Sequence, residues 1–140
     1  NLPLVHVRHA STESGSPLAP HETGHEFCEW AIPLEDETEF VKQVNSCFIG
    51  TGLEALLKSR GVEQLVVLGL TTNHCVSTTV RMAGNFGFDV KLVGDACATF
   101  PRTSASGVHY SADIIHETAL ASLHGEFCTV TDTTTVINAQ

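Results

Sequence analysis

Apolar residues along the chain follow two rhythms. Residues 65–70, LVVLGL, are apolar without a break. A strand with one wet face alternates, whereas an unbroken run of this length fits a parallel strand covered on both faces. Thr71, Thr72 and Asn73 end the run. Asn73 is a good N-cap residue, so a helix over 74–85 is predicted, with Gly84 and Gly87 to fray or cap its end. Residues 2–7 and 88–93 read as further strands, the second ending at Gly94 and Asp95, and 127–130 as a short last one. Residues 39–44 alternate: Phe40, Lys42 and Val44 face one way, Glu39, Val41 and Gln43 the other. Two helices complete the set. One spans 50–60, with Leu53, Leu56 and Leu57 inward and Gly61 as its stop. The other spans 103–125, with Ala112, Ile115, Ala119 and Leu123 as its core face. The order strand, long loop, strand, helix, strand, helix, strand, helix, strand predicts an α/β chain with a mostly parallel sheet. The tail from residue 131 is polar and reads as weakly structured.

Residues 11–37 hold three of the five prolines and predict a long loop. Loops of this length inside a compact domain are often lids. Phe27 and Trp30 are its apolar payload, placed either to pack on the domain or to line a pocket, while His21, His25 and Glu26 read as solvated.

Composition narrows the class. With 140 residues and 42% hydrophobic content, one globular domain over residues 1–140 is expected. A net charge of −9, with seven scattered basic residues, argues against nucleic acid and anionic membranes as partners. No apolar run reaches the length of a membrane span. Five cysteines without a CxxC pair fit neither a zinc ribbon nor a small disulfide scaffold; reduced thiols and a cytoplasmic location are the simplest reading.

Cys75 falls in the first turn of the predicted helix, where unpaired N–H groups and the positive end of the dipole gather. Such a place favours a thiolate and supplies donors for an oxyanion. A free cysteine is as readily a buried packing residue, and position alone leaves both readings open. Lys42 is unusual on a face shared with Phe40 and Val44, though a snorkelling edge lysine has the same pattern. His6 and His9 form an HxxH, but on a strand they point to opposite faces, which argues against a shared metal.

Residues 69–100 carry Gly69, Leu70, Thr71, Cys75, Val76, then Gly87-Phe88, a strand, and Asp95-Ala96. This pattern resembles the nucleophile segment of the isochorismatase-like cysteine hydrolase family. Lys42, Ser46, Phe48, Thr51 and Leu53 match that family's lysine segment. The resemblance covers nearly the whole chain and implies a three-layer α/β/α, Rossmann-like fold. It implies Cys75 as nucleophile and Lys42 as second catalytic residue. It also implies a cis peptide at Leu70–Thr71 and an oxyanion hole made by the Thr71 and Cys75 amides. His9 would stand at a strand end near the pocket, with Phe27 and Trp30 in the lid as substrate-binding candidates. Asp95 reads as an organiser of loops. The metal motif of the nicotinamidase branch, Asp-x-His, is not found, and no cofactor is implied. A homo-oligomer is implied by resemblance only.

The family's first, central strand, ending in an aspartate that acts as general acid/base, has no match in these residues. The domain therefore reads as N-terminally incomplete, with further residues expected before Asn1, on this chain or supplied by another. The expected function is cleavage of a C–N bond of a small amide through a Cys75 acyl-enzyme. The alternatives are isochorismatase activity on a vinyl ether, or a catalytically incomplete binding protein.

Overall fold

The structure, a computed structural model, describes residues 3–139. Over the described residues its backbone forms two compact units, divided between Ser59 and Arg60.

In the first unit, β1 (Val5–His9) pairs in parallel with β2 (Thr38–Lys42), in register from Val5↔Thr38 to His9↔Lys42. The pleat divides these strands into two faces. Val5, Val7 and His9 share one with Thr38, Phe40 and Lys42; His6 and Arg8 share the other with Glu39 and Val41. On the second face the Arg8 Nε donates to Glu39 Oε1 at 2.6 Å, and His6 Nε2 lies 2.9 Å from Glu37 Oε2. Leu2, expected to open the first strand, lies outside the described residues. Residues 11–37 form turns with two single-turn 3-10 helices, Thr23–His25 and Glu29–Ala31. The segment is tied down by Ser11 N–H to Leu18 O (2.9 Å) and by the buried Ala19 and His25. α1 (Leu53–Ser59) buries Leu53 and Leu57. It starts later than residue 50 because Gly50 turns the chain at φ 71° and the Thr51 hydroxyl accepts the Leu53 N–H at its start.

The second unit holds a three-stranded parallel sheet in the order β3 (Gln64–Leu70), β4 (Asp89–Ala98), β7 (Thr129–Thr131). β4 is the strand covered on both faces: consecutive Leu92 (0% exposed) and Val93 (3%) are both buried. β3, for all its unbroken apolar run, alternates. It stands at one end of the strand order, and the face that carries Val66, Leu68 and Leu70 stays open, with Leu70 67% exposed. The expectation of two covered faces, made for residues 65–70, thus fails for β3. Between Val67↔Leu92 and Gly69↔Cys97 the register slips, so β4 carries extra residues, among them Gly94 and Asp95, past two steps of β3. A Cβ on Gly94 would stand 3.1 Å from Leu120 Cδ1 and 3.3 Å from Val130 Cγ1, so the absence of a side chain lets β4 pack closely there.

After β3 come a π-helical turn, Thr72–Val76, and α2 (Ser77–Asn85). The long helix expected over 103–125 is shorter, because its first part is a hairpin. β5 (Arg102–Thr103) pairs antiparallel with β6 (His109–Tyr110) across a turn closed by Gly107 N–H to Ser104 O at 2.9 Å. Gly107 takes φ 86°, which a helix does not accept. Ser111 then caps α3 (Ala112–Leu123), its hydroxyl accepting the Ile114 N–H. On α3 the predicted core face is the inward one, with Leu123 fully buried. The tail is not weakly structured: it forms α4 (Thr133–Asn138). Asp132 caps it from within, accepting the Thr135 N–H at 2.8 Å, and Asp95 Oδ1 accepts the Thr133 N–H at 2.9 Å.

Candidate functional site

The second unit places Cys75 in the turn that follows the carboxyl end of a parallel strand, where open α/β sheets bind ligands. The peptide between Leu70 and Thr71 is cis. The Thr71 carbonyl accepts two N–H groups, from His74 at 3.1 Å and Val76 at 3.3 Å, which curls the backbone tightly around it. Asn73 does not cap this helix, as its side chain was expected to do. The helical backbone begins at Thr72 with Thr71 before it, and Asn73 Oδ1 is taken by the Thr99 hydroxyl at 2.6 Å. Cys75 itself is half-buried.

Three consecutive residues of the turn are each held by a side chain from another segment. Thr72, fully buried, meets His116 Nδ1 of α3 through its hydroxyl at 2.9 Å. Asn73 meets Thr99, just after β4. His74 Nδ1 lies 3.1 Å from Arg102 Nη2 on β5 and 3.4 Å from the Thr71 hydroxyl. A guanidinium only donates, so His74 Nδ1 accepts and the neutral ring carries its proton on Nε2. Burial, followed by the neighbouring Arg102 charge, holds the His74 pKa below the ordinary histidine value.

Other thiols of this unit are poorer nucleophile candidates. Burial pushes the Cys97 and Cys128 thiols up, and the Asp95 carboxylate adds to the shift at Cys97. Asp95 is committed to the α4 N-terminus, consistent with the loop-organising role its sequence context implied.

In the first unit, Lys42 is 3% exposed at the end of β2. Its Nζ lies 3.2 Å from His9 Nδ1 and donates to the Val44 carbonyl at 3.0 Å. It is therefore a buried cation on the inner face, not a snorkelling one. His9 accepts through Nδ1, and its carbonyl accepts from His25 Nδ1 at 2.9 Å. Burial lowers the His9 pKa, with the Lys42 charge next in weight. The buried His25, read from sequence as solvated, belongs to this cluster. Phe27 packs edge-on against His6 (centroids 5.7 Å apart) and under Arg8 (5.2 Å), side chains that leave β1 on the face opposite to His9. Trp30 is 87% exposed. The structure thus brings His9 to Lys42 but brings neither Phe27 nor Trp30 to that pair.

His116, Thr99 and Arg102 escaped the sequence reading. His116 fell within the helix expected over 103–125 with no role assigned to it, and Arg102 fell just before that helix. Only the dipeptide His74-Cys75, a titratable group directly before the candidate nucleophile, was visible as a signal. Among the described residues no group of three or more His, Cys, Asp or Glu side chains is placed to hold a metal ion. No described helix is long and apolar enough to cross a membrane.

The chain is similar to known proteins in sequence and in fold. The Isochorismatase domain model matches residues 1–135. YrdC of Bacillus subtilis, an uncharacterized isochorismatase family protein, is 42% identical over 135 residues, which are 96% of this chain and 72% of that protein. A crystal structure of an isochorismatase-family protein from Chromobacterium violaceum is 48% identical and superposes with a TM-score of 0.94, covering 99% of this chain and 72% of that one. Maleamate amidohydrolase of Pseudomonas putida is 35% identical over 79 residues, 56% of this chain and 34% of that protein.

Proposed function

From membership of the isochorismatase family, to which this chain belongs, we propose that it is a cysteine hydrolase that cleaves the C–N bond of a small amide. The observation that carries the reading is Cys75 in a helical turn at the carboxyl end of β3, in a backbone pinned at three successive residues. The family includes a named amidohydrolase, which favours an amide as the substrate class.

The chemistry runs in two stages. The Cys75 sulfur adds to the amide carbonyl carbon, and the carbonyl oxygen becomes an oxyanion that the Thr71 and Cys75 amides receive. Collapse breaks the C–N bond, the amine leaves with a proton, and a thioester links the acyl group to Cys75. Water then adds to the thioester carbonyl, and its collapse releases the carboxylic acid and the thiol. Lys42 is assigned the second catalytic role from its sequence pattern, as a fixed positive charge that favours anionic states of the reaction. No residue of this chain is assigned the general acid/base.

The test is ammonia release from a panel of small primary amides, with acid-quenched samples weighed for an acylated protein. Cys75→Ala is expected to lower turnover by roughly a thousandfold or more and to abolish the acyl adduct. Lys42→Ala is expected to lower it by about a hundredfold. Amide hydrolysis that persists in Cys75→Ala would overturn the acyl-enzyme reading. Turnover of a vinyl ether by that variant would favour isochorismatase chemistry instead.

A further inference from the structure

We propose, on the amide-hydrolase reading that gives Lys42 its catalytic role, that His9 is the positioning residue for Lys42. Its ring fixes the ammonium as a hydrogen-bond acceptor, and turnover therefore requires His9 to stay unprotonated.

The pairing of β1 with β2 sets the two residues side by side. His9↔Lys42 is the last pair of the ladder, and just beyond it the Ala10 N–H donates to the Lys42 carbonyl at 2.7 Å. Both side chains leave the sheet on the same face. A lysine ammonium has three donors and no acceptor, so it is oriented only by acceptors aimed at it. Two of these come from separate places: the Val44 carbonyl just after β2, at 3.0 Å, and His9 Nδ1 on β1, at 3.2 Å. A four-carbon stem is flexible; a 3%-exposed ammonium held from both strands is not. His9 is anchored in its turn, its carbonyl accepting from Nδ1 of the buried His25 at 2.9 Å.

The proton count of the ring follows from the contact. A nitrogen that accepts from an ammonium carries no proton, so His9 is neutral with its proton on Nε2. A proton added at Nδ1 turns the acceptor into a donor and puts a second positive charge 3.2 Å from the first. The hydrogen bond is then lost and the two groups repel, which frees Lys42 to leave its place. Among the described residues, the titratable neighbours that act on the ring are Lys42 from β2, and Glu13 and His25 from the 11–37 loop. Burial, then the Lys42 charge, opposes protonation, and His25 adds to both. A hydrogen bond with the Val44 backbone and the Glu13 charge favour protonation, and the balance leaves His9 below the ordinary 6.5. The ring is therefore neutral at neutral pH, and the hold on Lys42 fails on the acid side.

Asparagine separates this role from a merely structural one, because its Oδ1 replaces Nδ1 as an acceptor and takes up no proton. At neutral pH, His9→Ala is expected to lower amide turnover by roughly tenfold or more, and His9→Asn to restore most of it. The ratio of wild-type to His9→Asn kcat is expected to be flat near neutral pH and above, then to fall by about tenfold per pH unit below the His9 value. Taking the ratio cancels the titration of every group common to both proteins. A ratio that stays constant between about pH 8 and 5 overturns the proposal. So does a folded His9→Asn protein no more active than His9→Ala. A second arm needs neither turnover nor a substitution at His9: long-range proton–nitrogen NMR of the imidazoles. The wild type is expected to show His9 as the Nε2–H tautomer at neutral pH, and Lys42→Met to raise the pH at which His9 titrates. An Nδ1–H tautomer, or a titration indifferent to Lys42, overturns the proposal. The expected tautomer and titration in a protein that hydrolyses no amide would sink the amide reading and leave the hold on Lys42 standing. Amide hydrolysis with a constant ratio would do the reverse.

Discussion

Cys75 shares the chain with four other thiols, and three of them are sorted by their surroundings. Cys28 is exposed in the long loop, whereas Cys97 and Cys128 are held in the thiol form by burial. A thiolate is the species that alkylates. Limited treatment with iodoacetamide near neutral pH is therefore expected to modify Cys28 and Cys75 well before Cys97 or Cys128, as read by peptide mapping. Loss of activity is expected to track Cys75 and not Cys28. Early labelling of Cys97 would show that the β4 end opens readily and would contradict its buried environment. Sequence position alone left Cys75 undecided between nucleophile and packing residue. What favours the nucleophile reading is the family pattern around it; the side chains that hold its turn come from 26 to 44 residues farther along and leave no local trace.

At the scale of elements, α2 meets the turn before β7 at very close range. A Cβ on Gly84 would lie 2.9 Å from the Phe127 carbonyl oxygen, and Arg81, one turn earlier, lies 4.5 Å over the Phe127 ring. Alanine in a helix is favoured over glycine by about 1 kcal/mol. Here the clash is with backbone, which yields little, and overpacking costs about 1–3 kcal/mol. Gly84→Ala is expected to lower stability by about 1 kcal/mol net, seen as a lower urea midpoint at constant slope. A raised midpoint would mean that propensity wins and the packing is looser than described. The same elements show how far periodicity carries. The α3 core face and the parallel strands follow from apolar spacing, whereas a single sheet was expected and the described strands form separate ones. The β5–β6 hairpin did not, because Val108 and Tyr110 continue an apparently helical run and only Gly107 marks the reversal. α4 escaped because its stability lies in two caps, Asp132 beside it and Asp95 some forty residues away.

For the molecule as a whole, the titrating groups set a window of stability. His9 and His74 have folded pKa values below the ordinary 6.5. The unfolded chain therefore binds more protons than the folded one just below that value, and stability falls as pH drops from about 7 through the folded values. The lowered carboxyl groups of Glu37 and Asp132 add a second loss at more acid pH. On the alkaline side, raised Cys97 and Cys128 contribute stability that is full below 9.0 and lost as pH rises through their folded values. Urea midpoints are expected to pass through a maximum between about pH 7 and 9. A midpoint that climbs on going from pH 7 to 5.5 would contradict the lowered pKa values of these half-buried histidines. Most of this behaviour was invisible in the sequence, where His9 was placed only at a strand end and His74 carried no reading of its own; burial is a property of the fold and not of any short window.

The turn around Cys75 is fastened at Thr72, Asn73 and His74 by α3, by the residue after β4 and by β5. Each of these hydrogen bonds contributes a net of about 1 kcal/mol, so none alone decides the shape of the turn. Neighbouring contacts of this kind are not additive. The arrangement is redundant: a substitution at His116, Thr99 or Arg102 leaves two fastenings in place. Sequence drift is free to exchange them one at a time, and the position of the sulfur is lost only when two are gone together. That latitude lets the side chains around the turn be exchanged one at a time while the sulfur stays where it is.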